Sequence, residues 1–192
     1  MHSYEPEQLK KHNGLIKPRA LVIAGIVVAA AALRILPHPI NFTPVGALAL
    51  FGGSYFASKR LAFLFPLFAI IAGDVFVGFH RLLPYVYASF LVSVALGLCL
   101  RRDRSAARIG LYTLAGAIQF FLVTNFALWA LAIGRYPKTF DGLVSCYLAG
   151  IPFFWNTLAG DALYVSMLFG GMAFLEHRFP ALRAVPLDLK FS

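Results

Sequence analysis

Ile71-Ala-Gly-Asp74-Val-Phe-Val-Gly78-Phe-His80-Arg81-Leu-Leu-Pro84-Tyr85-Val-Tyr87 sets an acid, an imidazole and a guanidinium at the end of an apolar run. The preceding residues, 61–73, carry no charge. A carboxylate embedded in such a run costs about 2.5–3.5 kcal/mol at the centre of a lipid-embedded helix. Asp74 is therefore either a functional group or a residue that caps or hydrogen-bonds a neighbouring helix. Gly78 and Pro84 bracket a break, because proline disfavours helix in the residue before it. His80 is expected to enter its surroundings from that unwound segment.

Working outward, the chain has 192 residues, 60% hydrophobic and only 13% charged, which fits one membrane domain by length and composition. Its apolar stretches approach the ~20 residues that span a hydrocarbon core as helix, without the alternation of a membrane barrel. The expected fold is an all-α membrane protein with six transmembrane helices. Residues 1–17 form a cytoplasmic tail, 18–176 the six-helix domain and 177–192 a second cytoplasmic tail.

The first helix is expected over 18–36. The second starts at a Thr43-Pro44 cap and ends near 57. The third covers 61–78, the fourth 84–100 and the fifth 109–134, with Gln119, Thr124 and Asn125 inside it. Residues 143–151 are apolar but too short to span, so a short interfacial or re-entrant helix is expected before the last span. After Pro152, the aromatic belt Phe153-Phe154-Trp155 and a cap at Asn156-Thr157 open the sixth helix, which ends near 175. In the first helix, small residues at Ala20 and Ala24 and at Gly25 and Ala29 suit close packing inside the bundle.

The formal charge of +9 lies in short clusters between apolar runs. That pattern sets topology and excludes a nucleic-acid face. With the N-terminus inside, the inner segments hold 13 of the 17 Lys and Arg residues; the outer ones hold Arg34, Arg81, Arg135 and Lys138. The positive-inside rule then places both termini in the cytoplasm. Cys99 and Cys146 have neither metal-type spacing nor a disulfide framework.

In this orientation the polar and aromatic groups gather toward the outer side. The candidate substrate-binding residues are His80, Asp74, Arg34, His38, Asn41, Tyr85, Tyr87, Asn125, Trp155, Asn156 and Asp161. They describe either a pocket open to the outside or a buried structural network in which Arg34 pairs with Asp74 and Asp161. Ala-Gly-Asp occurs twice, at 72–74 and 159–161, and paired intramembrane aspartates raise the alternative of a hydrolase whose carboxylates share a proton. The intramembrane aspartyl proteases, however, carry a glycine two residues before the Gly-Asp pair, where Ile71 and Leu158 stand here.

Several motifs together, Arg34-Ile-Leu-Pro-His38-Pro-Ile-Asn41-Phe-Thr-Pro44, Gly78-Phe-His80, Pro84-Tyr-Val-Tyr87, Val123-Thr-Asn125-Phe and Ile151-Pro-Phe-Phe-Trp-Asn156-Thr-Leu-Ala-Gly-Asp161, resemble a family of small bacterial membrane proteins of largely unassigned function. The size and six-helix plan are similar to the S-components of energy-coupling-factor vitamin transporters and to solitary cobalamin transporters of the BtuM type. The resemblance implies a bacterial inner-membrane protein that binds a vitamin or cofactor precursor from outside. It implies no intrinsic cofactor, and an energising module as partner for any ATP-driven step. Cobalamin is the leading named substrate. BtuM-type proteins place a thiolate on cobalt, a cysteine is missing from the corresponding stretch here, and His80 is the residue that would take the metal.

Overall fold

The structure, a computed structural model, describes residues 18–33, 39–133 and 136–183. It consists of α1 (Pro18–Ala32), α2 (Val45–Tyr55), α3 (Lys59–Val77), α4 (Leu83–Cys99), α5 (Ala106–Ala130) and α6 (Phe140–Arg178), followed by a 3₁₀ turn at Pro180–Leu182. Among the described residues there is no strand. Both expected tails, and Arg34, His38 and Arg135, lie wholly or mostly outside the described residues.

The fold is built around α2. Val-Gly-Ala-Leu-Ala-Leu-Phe-Gly-Gly-Ser-Tyr has no polar face, which is the signature of a helix buried on all sides. Every residue from Ala47 to Tyr55 is buried, and all five other helices pack against it. Eleven residues make a rod of only ~16 Å. Its glycines set how closely the neighbours come. A Cβ on Gly53 would run into the Val94 carbonyl oxygen, and one on Gly97 into that of Leu50, so α2 and α4 cross backbone to backbone. A Cβ on Gly52 would lie 2.5 Å from the Pro66 ring of α3.

Four expectations are corrected. Thr43 does not cap α2: Pro44 is the N-cap residue and makes no side-chain cap hydrogen bond. The chain ahead of it is instead held against α6. Asn156 Nδ2 donates to the Ile40 carbonyl at 3.0 Å, and a Cβ on Gly160 would lie 3.2 Å from the Thr43 nitrogen. Asn156 is thus a clasp inside a helix rather than a cap.

The separate helix over 143–151 does not exist either. α6 runs unbroken through Pro152 for 39 residues, about 58 Å. Its cap is Thr139, whose hydroxyl oxygen accepts the Gly142 N–H at 3.2 Å. Gly142, Cys146 and Gly150 form a buried stripe at four-residue spacing. The Cys146 thiol donates to the Asn125 carbonyl at 3.4 Å, and a Cβ on Gly150 would fall 2.5 Å from Asn125 Oδ1. An interior proline costs about 3 kcal/mol, and packing of the first half of α6 on α5 and of the second half on α2 offsets it.

In α1 the buried side chains are Ile23, Val27, Ala30 and Ala31. Gly25 and Ala29 are exposed, so that small-residue pair does not pack inside the bundle.

The exterior is apolar. Phe68 and Phe76 on α3, Leu111 and Leu122 on α5, and Phe174 on α6 are all exposed. Two helices, α5 and α6, are long and apolar enough to cross a membrane; α1, α2 and α4 are shorter apolar helices.

Gly53→Ala and Gly97→Ala should each destabilise the protein by about 1–3 kcal/mol, the usual cost of overpacking. Gly170→Ala, whose added methyl meets nothing within 4 Å, should be neutral or stabilising. Thermal melts of the three variants beside the wild type check the contrast; equal melting temperatures would remove α2–α4 contact as the determinant.

Candidate functional site

A helix as short and buried as α2 leaves unsatisfied N–H groups at one end and carbonyls at the other, and other elements supply their partners. At the C-terminal end Arg101 donates to the carbonyls of Gly53 (3.0 Å), Ala57 (3.2 Å) and Phe56 (2.7 Å). Arg104 donates to Ser54 O at 2.6 Å and lies over the Tyr55 ring at 4.3 Å. Burial and the Arg104 charge pull Arg101 below arginine's usual range, which still leaves a guanidinium charged. These two arginines, expected as topology signals, also cap a helix some 45 residues upstream. Nearby, Arg19 and Glu176 pair at 3.2 Å and join α1 to α6.

At the N-terminal end stands Asp161 of α6, 4% exposed. Its carboxylate fills the space beside Gly46, where a Cβ would come within 2.6 Å of Oδ1, and the Ala47 N–H faces it. A carboxylate at a helix N-terminus is favourably placed against the helix dipole. Among the described residues no cationic side chain pairs with Asp161.

Asp161 borders a central cavity of about 50 Å³ enclosed by α2, α4, α5 and α6. That is room for a few water-sized groups. Asn41, Thr43, Ser93, Tyr112, Thr113 and Thr157 supply its polar wall, and Phe90 and Phe120 aromatic faces. Asn41, Thr43, Val45 and Phe120 also border a second cavity of about 330 Å³, which opens beside His80, Thr124 and Asn125. On the opposite side Thr113 and Val165 are shared with a groove of about 830 Å³ between α5 and α6, which ends at Arg104 and Glu176. The three spaces lie in line, from the His80 end to the Arg104 end.

The expected site residues divide accordingly. Asn41, which adopts a left-handed backbone (φ 65°), borders two of the cavities. Asp161 borders the central cavity; His80 and Asn125 border the one at the His80 end. Gly78, at φ 104°, makes the expected break ahead of His80. Asp74, 1% exposed, accepts a 2.7 Å hydrogen bond from the Tyr87 hydroxyl, which ties α3 to α4. Tyr85 borders none of the three cavities, and Trp155 is 64% exposed on the outside of α6. Arg34 and His38 lie outside the described residues. Among the described residues no three His, Cys, Asp or Glu side chains gather to hold a metal.

Sequence reading missed Phe90, Ser93, Tyr112, Thr113 and Phe120. The one available signal was the spacing of Ser89, Ser93 and Gln119, which join α4 to α5 through Gln119 Nε2 at 2.9 Å to Ser89 O and 3.3 Å to Ser93 Oγ.

The chain belongs to DUF6580, a family of unknown function, whose family model matches residues 15–182. No curated protein and no solved structure matches it.

Asp74 and Asp161 share no hydrogen bond, and of the two Asp161 alone borders one of the three cavities described above. Asp74→Asn and Asp161→Asn should therefore act independently, the double variant losing the sum of the two stabilities within about 0.5 kcal/mol. Chemical unfolding of both single variants and the double variant measures the coupling. A coupling above about 1 kcal/mol would restore a single network.

Proposed function

We propose that this DUF6580 protein is a membrane-embedded carrier of the S-component type, which takes up a vitamin or cofactor precursor from the side on which His80 lies. The observation that carries this reading is the central cavity at the end of a buried half-length helix, in line with an opening toward each end of the bundle. Carriers place their sites at such discontinuous helices near the bilayer midplane. Non-helical backbone at that depth is tolerated where protein buries it or a cavity borders it; Phe42 and Thr43 lie against Gly160 of α6, and Asn41 and Thr43 border the cavity.

The apolar exterior fits six spans in the bacterial inner membrane, α2 crossing together with residues 39–44. The distribution of Lys and Arg favours both termini in the cytoplasm, with the Arg104 end inward. The chain carries no ATP-binding motif, so an ATP-driven step would come from a separate energising module.

Cobalamin stands as the named candidate, with His80 as its cobalt ligand. The cavity beside His80, about 330 Å³, is at the lower end of small-molecule sites. A corrin would rest on its mouth, whereas a smaller vitamin would enter. The hydrolase alternative has less support, because its two carboxylates would have to face one another and Asp74 is engaged with Tyr87.

The test has two arms. Reporter tags at both termini should read cytoplasmic and one at residues 136–142 periplasmic; a periplasmic C-terminus would remove the six-span arrangement. Aquo-cobalamin mixed with purified wild type should show a nitrogen-ligated visible spectrum that His80→Ala lacks. Identical spectra remove His80 as ligand, and no binding to either protein removes cobalamin as the solute.

A further inference from the structure

We infer that the solute taken by this protein carries a positive charge, and that its cationic head sits in the central cavity against Asp161. For the route of entry the inference rests on the carrier reading; the site itself rests on the cavity.

The first argument is charge. A buried carboxylate without a partner is costly, and Asp161 is 4% exposed with no cationic side chain paired to it among the described residues. The N-terminus of α2 supplies roughly half an elementary charge. The Ala47 N–H engages the carboxyl group from the helix side, and the group also borders the cavity, in surroundings of low dielectric. A free half-helix N-terminus would suit an anionic ligand. Here Asp161 already occupies that place beside Gly46, so a second anion would be repelled.

The second argument is hydrogen bonding. Thr113 donates its hydroxyl hydrogen to Ile109 O at 2.8 Å, Thr157 to Phe153 O at 3.0 Å and Ser93 to Ser89 O at 3.2 Å. With those hydrogens committed, the three oxygens offer the cavity lone pairs only. Together with the carboxylate they form a patch of acceptors, complementary to the N–H groups of an ammonium or amidinium, within a wall to which Asn41, Thr43 and Tyr112 add groups that can also donate. Phe90, Tyr112 and Phe120 border the same space, and aromatic faces attract cations.

The third argument is room. About 50 Å³ holds a compact charged head, and the border shared through Asn41, Thr43 and Phe120 lets the body of the solute extend into the cavity of about 330 Å³ beside His80.

The experiment uses three probes of similar shape on the full-length protein in lipid nanodiscs: 2-phenylethylammonium, 2-phenylethanol and phenylacetate. The ammonium compound alone should raise the melting temperature at millimolar concentration. Asp161→Asn should weaken it at least tenfold, Phe120→Leu by about 3- to 10-fold, and Asp74→Asn should leave it unchanged. Equal shifts from all three probes, no shift from any, or a full response in Asp161→Asn overturns the inference. Should Asp161→Asn fail to fold, the wild-type charge series and Phe120→Leu decide. Proteoliposome uptake separates the two readings. A cation that binds but is not taken up overturns the carrier and leaves the site. Uptake of a neutral or anionic solute that the ammonium probe does not inhibit overturns the site and leaves the carrier.

Discussion

The structure depends on holding a short, almost wholly apolar helix in the middle of a bundle with both of its ends satisfied. An α-helix isolated from water has nothing to take up its terminal N–H and C=O groups except other parts of the protein. For α2 those parts are an acid from the last helix and two arginines from the turn after α4. The signs match the helix dipole at each end. The polar groups stand where they do because α2 must end somewhere inside the protein, and the central cavity forms at one of those ends.

This arrangement also explains how the buried acids differ. Asp74 ties α3 to α4 through Tyr87. Asp161 faces a helix terminus on one side and an open space on the other. Two copies of Ala-Gly-Asp thus serve different ends, because what an aspartate does is set by the elements packed against it and not by the residues beside it.

The all-helical fold, most limits of the first five helices and the break at Gly78 were legible in the sequence, because apolar run length, proline and glycine are local signals. Where the reading failed, the cause was distant. Pro152 reads as a break, yet Cys146 and Gly150 dock that part of α6 on α5. Arg101 and Arg104 read as charges in a loop, since their acceptors lie some 45 residues away. His80, Asn41, Asn125 and Asp161 could be singled out as polar groups in apolar surroundings. The hydroxyls of Thr113 and Thr157 could not, because hydroxyls bonded back to their own helix are ordinary in apolar helices.

The crossing of α2 and α4 at Gly53 and Gly97 has a consequence for how this sequence can vary. A helix touched on every side has no position where a larger residue is free, and at these two positions even a methyl group meets a backbone carbonyl. The exposed face of α5 needs only to be apolar, so leucine, isoleucine, valine and phenylalanine are interchangeable there. Drift over generations should therefore be confined to the outer helices, with α2 as a nearly fixed word in an otherwise loosely spelled chain.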